Sequence, residues 1–329
     1  MPVERSSTAP TPVFDPTQPP DVVLELAGVQ HSFGDFHVLH DLNLKVVRGQ
    51  VAALVGPSGC GKSTLLRAIL GTHPPNNGRV LVNGTEVTGP GRDRGMVYQR
   101  YSLYPFLTAE ENVAFGPMLD RTTLPFRAFR PLKWRAQKKE ILAEARELLV
   151  RLKLEASMQK YPHEMSGGMC QRVAIAQALI MKPEILLLDE PFGALDEATR
   201  EEMQEMILDL YHDNIQVQQE GGVPPYTILI VTHELNEAIY VADRIIGLSQ
   251  YWNWEESGQA KAGPHRCPGA TFVYDAVAPV FHSDNEREMH LLNEQRAEIR
   301  ETVFNESLVT IPAAGVTFWQ QRYGGGASQ

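Results

Sequence analysis

Val51-Ala52-Ala53-Leu54-Val55-Gly56-Pro57-Ser58-Gly59-Cys60-Gly61-Lys62-Ser63 is the stretch that decides the fold of this 329-residue chain. Its first five residues are apolar without a break, the pattern of a strand covered on both faces. Such a strand belongs to a parallel sheet flanked by helices, so the expected class is α/β. The next eight residues fit G-x-x-x-x-G-K-S/T, and a helical stretch opens at Lys62. Glycines let successive backbone N–H groups converge on one anion with no Cβ in the way, and a helix N-terminus adds partial positive charge at the same point. Gly56, Pro57, Ser58, Gly59, Cys60 and Gly61 therefore read as a phosphate cradle, Cys60 being a small filler within it. Lys62 suits contact with the outer phosphates of a nucleotide, and the Ser63 hydroxyl suits coordination of Mg²⁺ bridging the same oxygens, with Thr64 alongside.

Working outward, residues 1–20 are dense in Pro, Ser and Thr and read as a flexible leader. Val22 to Leu26 and Val38 to Val46 alternate as strands do, with Gly34-Asp35 as a turn between them, which predicts an antiparallel β entry. Downstream, residues 138–153 carry Ile141, Ala145, Leu149 and Leu152 at helical spacing, and a second helix is expected over residues 171–181, so a helical block at about 100–180 interrupts the sheet. Ile185 to Leu188 and Ile228 to Val231 are again apolar strands ending in polar residues. The main domain is expected over 21–254. Past it the text SGQAKAGPHRCPGATF is loop-like, and Ser283-Asp284-Asn285-Glu286 has the form of a capping box, so the extension 255–329 should carry one helix. Met289, Leu292, Ile299 and Val303 would dock that helix on the main domain.

The chain is 43% apolar with a formal charge of −10, ordinary globular composition and a surface that disfavours nucleic acid as a partner. Its three cysteines, Cys60, Cys170 and Cys267, are too few and too scattered for a disulfide framework, which suits a cytosolic setting. No run reaches the roughly 18 apolar residues of a membrane-spanning helix, and the start lacks a signal-peptide core.

A phosphate cradle alone leaves kinases, GTPases, helicases and transporters open. The strand ending in Asp189-Glu190 adds two carboxylates, the first suited to holding Mg²⁺ through water and the second to polarising an attacking water. Ser166-Gly167-Gly168-Met169, just before Gln171, adds another helix N-terminus of anion-binding kind. MSGGM before QRVAIAQAL resembles the LSGGQ signature of ATP-binding-cassette ATPases. With the cradle, LLLDEP, GALD and VTHE in order, the resemblance covers residues 22 to 250.

The resemblance implies a P-loop fold with a parallel-sheet core, an antiparallel β subdomain and a helical subdomain bearing the signature. It implies that Phe33, or its rival Phe36, stacks on adenine, and that Gln99 couples Mg²⁺ to a membrane partner. It further implies that Asp189 serves the Mg²⁺ site and Glu190 is the catalytic base. Asp196 would lie on the loop crossing between subunits, and His233 would sense the γ-phosphate. Ser63, Gln99 and Asp189 are thus the implied metal set. Two cassettes, in a homodimer or a mixed pair, would bury two ATP molecules head to tail, Ser166, Gly167 and Gly168 of each completing the other's site. TGPGRDRGMV, the signature methionine and GALD resemble the nitrate, sulfonate and taurine group of bacterial importers. That implies a peripheral subunit at the cytoplasmic face of the inner membrane, bound to permease subunits and served indirectly by an extracytoplasmic solute-binding protein.

The rival readings are a soluble cassette acting on ribosomes or DNA, disfavoured by the single cassette and the lack of a strong basic face, and a small-molecule kinase, disfavoured by Ser-Gly-Gly. Met169 and Gln177 depart from the family pattern, where glutamine and arginine are usual. The stretch 120–139, longer than usual and rich in Arg and Lys, is suited to anionic headgroups or to solvent. Tyr104-Pro105-Phe106-Leu107 is suited to a groove that receives a permease helix.

Overall fold

A computed structural model of the chain describes residues 20–100, 102–193, 195–254, 267–278, 286–306 and Phe318. The strands are β1 (Val22–Phe33), β2 (Phe36–Val47), β3 (Val51–Val55), β4 (Asn77–Val82), β5 (Thr85–Glu86), β6 (Arg94–Val97), β7 (Ile185–Asp189), β8 (Ile228–Thr232), β9 (Arg244–Ser249) and β10 (Thr271–Val277). The helices are α1 (Lys62–Leu70), α2 (Ala109–Arg121), α3 (Leu124–Phe129), α4 (Pro131–Arg151), α5 (Gly167–Leu179), α6 (Glu197–Gln219), α7 (Leu235–Val241) and α8 (Glu286–Val303).

Two sheets result. The antiparallel one has the order β2-β1-β4-β5, and the central one has the order β10-β9-β3-β8-β7-β6. Within the central sheet β9, β3, β8, β7 and β6 run parallel, and β10 adds an antiparallel edge to β9. Every residue of β3 is buried, because opposite faces of the sheet meet different layers. Ala52 and Leu54 face a core shared with α1 and the antiparallel sheet. Ala53 and Val55 join α7, α8 and β10 through Ala238, Ile239, Ile299 and Val273. A third core packs Leu186, Leu188, Ile228 and Ile230 against the helices of the signature region and α6.

Local chemistry sets the ends of the helices. Thr108 and Glu111 form a reciprocal capping box at α2, and the hydroxyl of Ser166 accepts from Met169 N, so α5 begins at Gly167, four residues ahead of the expected Gln171. α4 also begins earlier than expected, with proline at its first position, where the missing N–H costs nothing. β10 is a strand the sequence reading does not predict, its first two residues closing the stretch read as loop, so residues past 254 enter the central sheet. α8 is described from Glu286; Ser283 to Asn285, where the capping-box pattern places the start of the helix, lie outside the described residues, as do the leader 1–19 and the side chain of Met289. Ile299 and Val303 are fully buried and Leu292 packs beside them, so α8 docks on the central sheet. No helix among the described residues is long and apolar enough to cross a membrane.

Candidate nucleotide site at the strand ends

Parallel strands bring their carboxyl ends to one side of the sheet, and in such folds ligands bind there, where the strand order reverses. Here β3 lies between β8 and β9 although its own crossover leads to β6. Four adjacent strands deliver the predicted residues. β3 leads into the cradle at Gly56, β6 is followed by Gln99, β7 ends in Asp189 and Glu190, and β8 is followed by His233.

The cradle depends on its glycines. Gly59 and Gly61 have φ of 78° and 108°, left-handed values that side chains resist. A Cβ on Gly61 would stand 2.9 Å from Val38 Cγ1 and 2.8 Å from Leu39 Cδ2, so β2 closes one wall of the loop. A Cβ on Gly56 would stand 2.2 Å from the carbonyl oxygen of Leu248. Lys62 is buried, and its ammonium donates to the carbonyls of Gly56 at 2.7 Å and Pro57 at 2.9 Å. Ser58, Gly59 and Ser63 are exposed, Pro57 and Thr64 half-buried and Cys60 buried. Burial pushes the Cys60 thiol up despite Lys62 nearby, the opposite of an activated cysteine. Phe33 and Phe36 face each other across the hairpin turn at the mouth of β1 and β2, and both stay exposed.

Glu190 holds the centre. Its Oε2 accepts from Gln99 Nε2 at 2.8 Å, and its Oε1 lies 2.9 Å from His233 Nδ1. Its backbone has a φ of 47°, a left-handed conformation uncommon for a residue with a side chain, of the kind that clusters at functional sites. Next to it, burial foremost and then the neighbouring Glu190 charge push the Asp189 carboxyl up, with Lys62 and Arg67 opposing.

The signature residues stand at the start of α5. Ser166 and Gly167 are exposed there, and Gly168 is buried beneath them. Asp196 caps α6, its Oδ1 accepting from Thr199 N at 3.0 Å and its Oδ2 from Thr199 Oγ1 at 2.9 Å. Those bonds, led by the backbone N–H, hold its carboxyl below the usual range. Thr199 was not singled out by the sequence, yet a Cβ on Gly168 would lie 1.8 Å from its Cγ2, so Thr199 joins the signature to the Asp196 turn. The C-terminal helix also reaches the site's edge: Arg300 and Phe304 line a cleft of about 460 Å³ with His233 and Asn236.

Among the described residues no three His, Cys, Asp or Glu side chains form a cation cage. Mg²⁺ does not need one, because it is held by one or two carboxylates, waters and substrate phosphates. An exposed hydroxyl at Ser63, a carboxylate at Asp189 and a loop shaped for phosphate oxygens supply that donor chemistry.

Residues 39–193 match the sequence model of the family described as ABC transporter. The "Aliphatic sulfonates import ATP-binding protein SsuB" of Bacillus licheniformis is 41% identical over 208 residues, covering 63% of this chain and 71% of that protein. The "Bicarbonate transport ATP-binding protein CmpD" of Synechocystis is 43% identical over 213 residues, covering 65% and 68%. The chain spans 65% of the "Sulfate/thiosulfate import ATP-binding protein CysA" of Neisseria meningitidis, at 39% identity over 76% of its own length. Among solved structures, the dimeric ATP-binding cassette MJ0796 bound to ADP and Pi aligns with a TM-score of 0.52 at 30% identity, over 68% of this chain and 93% of that one. The cassette cbiO1 of Clostridium perfringens gives 0.61 at 23% identity over 85% and 95%, a likeness of fold. With its cradle, strand-end carboxylates and signature helix on one scaffold, the chain belongs to the ABC transporter family, among its importer-type ATP-binding ATPase subunits.

Proposed function

We propose that the chain powers uptake of a small oxyanionic solute, of the nitrate, sulfonate and taurine kind, by hydrolysing ATP at the cytoplasmic face of the inner membrane. The observation that carries this reading is Glu190, held between Gln99 and His233 at the strand ends beside the Lys62 cradle. Backbone N–H groups from Gly56 to Gly61 and the Lys62 ammonium bind the triphosphate, with Phe33 or Phe36 against the base. Ser63, Asp189 and Gln99 would hold Mg²⁺, which when bound would supply charge neutralisation at the phosphate oxygens. Glu190 orients the attacking water and accepts its proton, and His233 donates a hydrogen bond toward the γ-phosphate.

The exposed Ser166 and Gly167 would complete the site of a second cassette, identical or paired, and Asp196 would cross at the same seam. ATP thereby favours the closed pair, and its hydrolysis removes the contacts that hold it, which drives the bound permease; a solute-binding protein acts through that permease. Asymmetry between the two faces supports this, since Ser166 and Asp196 cap helices outside the cluster around Glu190.

Glu190→Gln should retain ATP binding, lower turnover at least on the order of 10²-fold and accumulate as a dimer in saturating ATP, read by light scattering. Near-native turnover, or a strictly monomeric variant with its permease present, would refute the reading.

A further inference from the structure

Residues 121–139 contain seven Arg and Lys and no Asp or Glu, in a chain whose formal charge is −10. They form an elbow. Arg121 ends α2, α3 follows, and α4 starts at Pro131. Gln137 donates to the carbonyl of Arg121, so the end of α2 lies level with Gln137. The first six residues of α4 therefore reach roughly 9 Å past it, accompanied by α3.

The elbow is stiff. Pro125 and Pro131 stand at the starts of α3 and α4. Arg127 donates to Thr122 Oγ1 and to the Met118 carbonyl, and its guanidinium lies 4.8 Å from the centre of the Trp134 ring. On this braced tip Phe129 and Leu132 are 85% and 77% exposed, the most exposed large apolar side chains among the described residues. Arg130 and Pro131 separate them, and Arg135 and Lys139 follow Leu132 at the third and seventh positions, on the same stripe of α4. Arg130, Lys133 and Arg135 are exposed and form no ion pair with another described residue.

We infer that this elbow docks on the surface of an anionic bilayer, directly and without the permease. Basic side chains are drawn to acidic headgroups, and two apolar side chains on a projecting tip can enter the acyl boundary without a pocket to receive them. A folded protein partner would call for a concave or flat apolar face, and a nucleic acid would leave Leu132 without a role. The reading does not depend on the function proposed above, because vesicles carrying no permease test it alone.

The test is co-sedimentation of the full chain with vesicles of phosphatidylcholine alone and of phosphatidylcholine mixed with phosphatidylglycerol, across a salt series. The chain should partition onto the mixed vesicles only, with binding that weakens steeply as salt rises. Arg130→Gln/Lys133→Gln/Arg135→Gln should lower the partition coefficient roughly a hundredfold. Phe129→Ser/Leu132→Ser should lower it about tenfold or more. Both variants should keep native ATP affinity and circular dichroism. Equal binding to both vesicle types, no binding to either, or undiminished binding by the triple variant would overturn the inference. Capture of soluble polyglutamate but not of vesicles would overturn it in favour of an acidic protein segment.

Discussion

Replacing Asp275 by alanine tests whether the C-terminal segment is part of the cassette's core. Asp275 lies in β10, and its two carboxylate oxygens accept from Arg244 Nε and Nη2, both at 2.7 Å. The Arg244 side chain is fully buried. Its Nη1 donates to the Lys45 carbonyl at 2.6 Å, and the Phe318 ring centre lies 3.9 Å from its guanidinium carbon. Losing one partner of a buried pair leaves an uncompensated charge and costs about 3–5 kcal/mol. With an unfolding entropy of about 2.1 cal/mol/K per residue, a chain of 329 residues should melt roughly 4–7 °C lower. Thermal unfolding followed by circular dichroism reads this directly. The double variant Arg244→Met/Asp275→Leu removes both charges and should recover most of the loss, since apolar replacement of a buried pair is often neutral. A Tm for Asp275→Ala within about 2 °C of the parent would refute the argument, because an independent extension would not lower the melting of the main domain.

Three further outcomes follow from the geometry. Lys62→Ala removes an ammonium that now bridges two loop carbonyls and should weaken ATP binding about 10–100-fold in a fluorescence titration, the scale of a charge-assisted contact. Gly168→Ala forces a shift against Thr199 Cγ2 and should reduce ATP hydrolysis while leaving binding by the monomer intact; Thr199→Ser, which deletes that methyl and keeps the hydroxyl on Asp196, should restore activity in the double variant. At Glu110, burial is the largest single influence and pushes the carboxyl up, but hydrogen bonds from Arg146 and Gln159 together with the charges of Arg146 and Lys138 outweigh it and hold it below the usual range. That pair's stabilisation is therefore full above the ordinary Glu pKa and disappears as pH falls through the lowered one, so the penalty of Arg146→Ala in urea unfolding should be large at neutral pH and shrink below about pH 4.

The sequence reading succeeds where one segment carries its own answer. β3, β7 and β8 are legible because each is buried on both faces and so is apolar at nearly every position. The same reading passes over β10 because Asp275 interrupts Thr271 to Val277, and the group that neutralises it, Arg244, stands 31 residues away. α6 escapes for a different reason. Its first six residues, Glu197 to Glu202, are polar apart from Ala198, and its buried face begins only at Met203. At the site the motifs name the residues but not their joints. Gln99 and His233 meet Glu190 across 91 and 43 residues, and no local pattern reports that both bonds fall on one carboxylate. Thr199 is invisible for the same reason, since its role exists only through the space it fills over Gly168.

What turns separate motifs into one site is register. Val97 pairs with Leu188, Asp189 with Val231, and Val55 with Thr232, so neighbouring strands end nearly level. Gln99, Glu190, His233 and Gly56 each follow within two residues of those ends. Side chains alternate faces along a strand, so a slip of β7 by one residue would exchange the two cores it serves, carrying Leu187 to the layer of Leu186 and Leu188. It would also move Glu190 away from Gln99 and His233. Exchanging one leucine for another costs little, so the apolar run alone does not set the alignment. The polar residues that bound it do: a slip in either direction would draw Glu184 or Asp189 into the buried run, at the cost of desolvating a carboxylate, and the chemistry at the strand ends depends on that penalty.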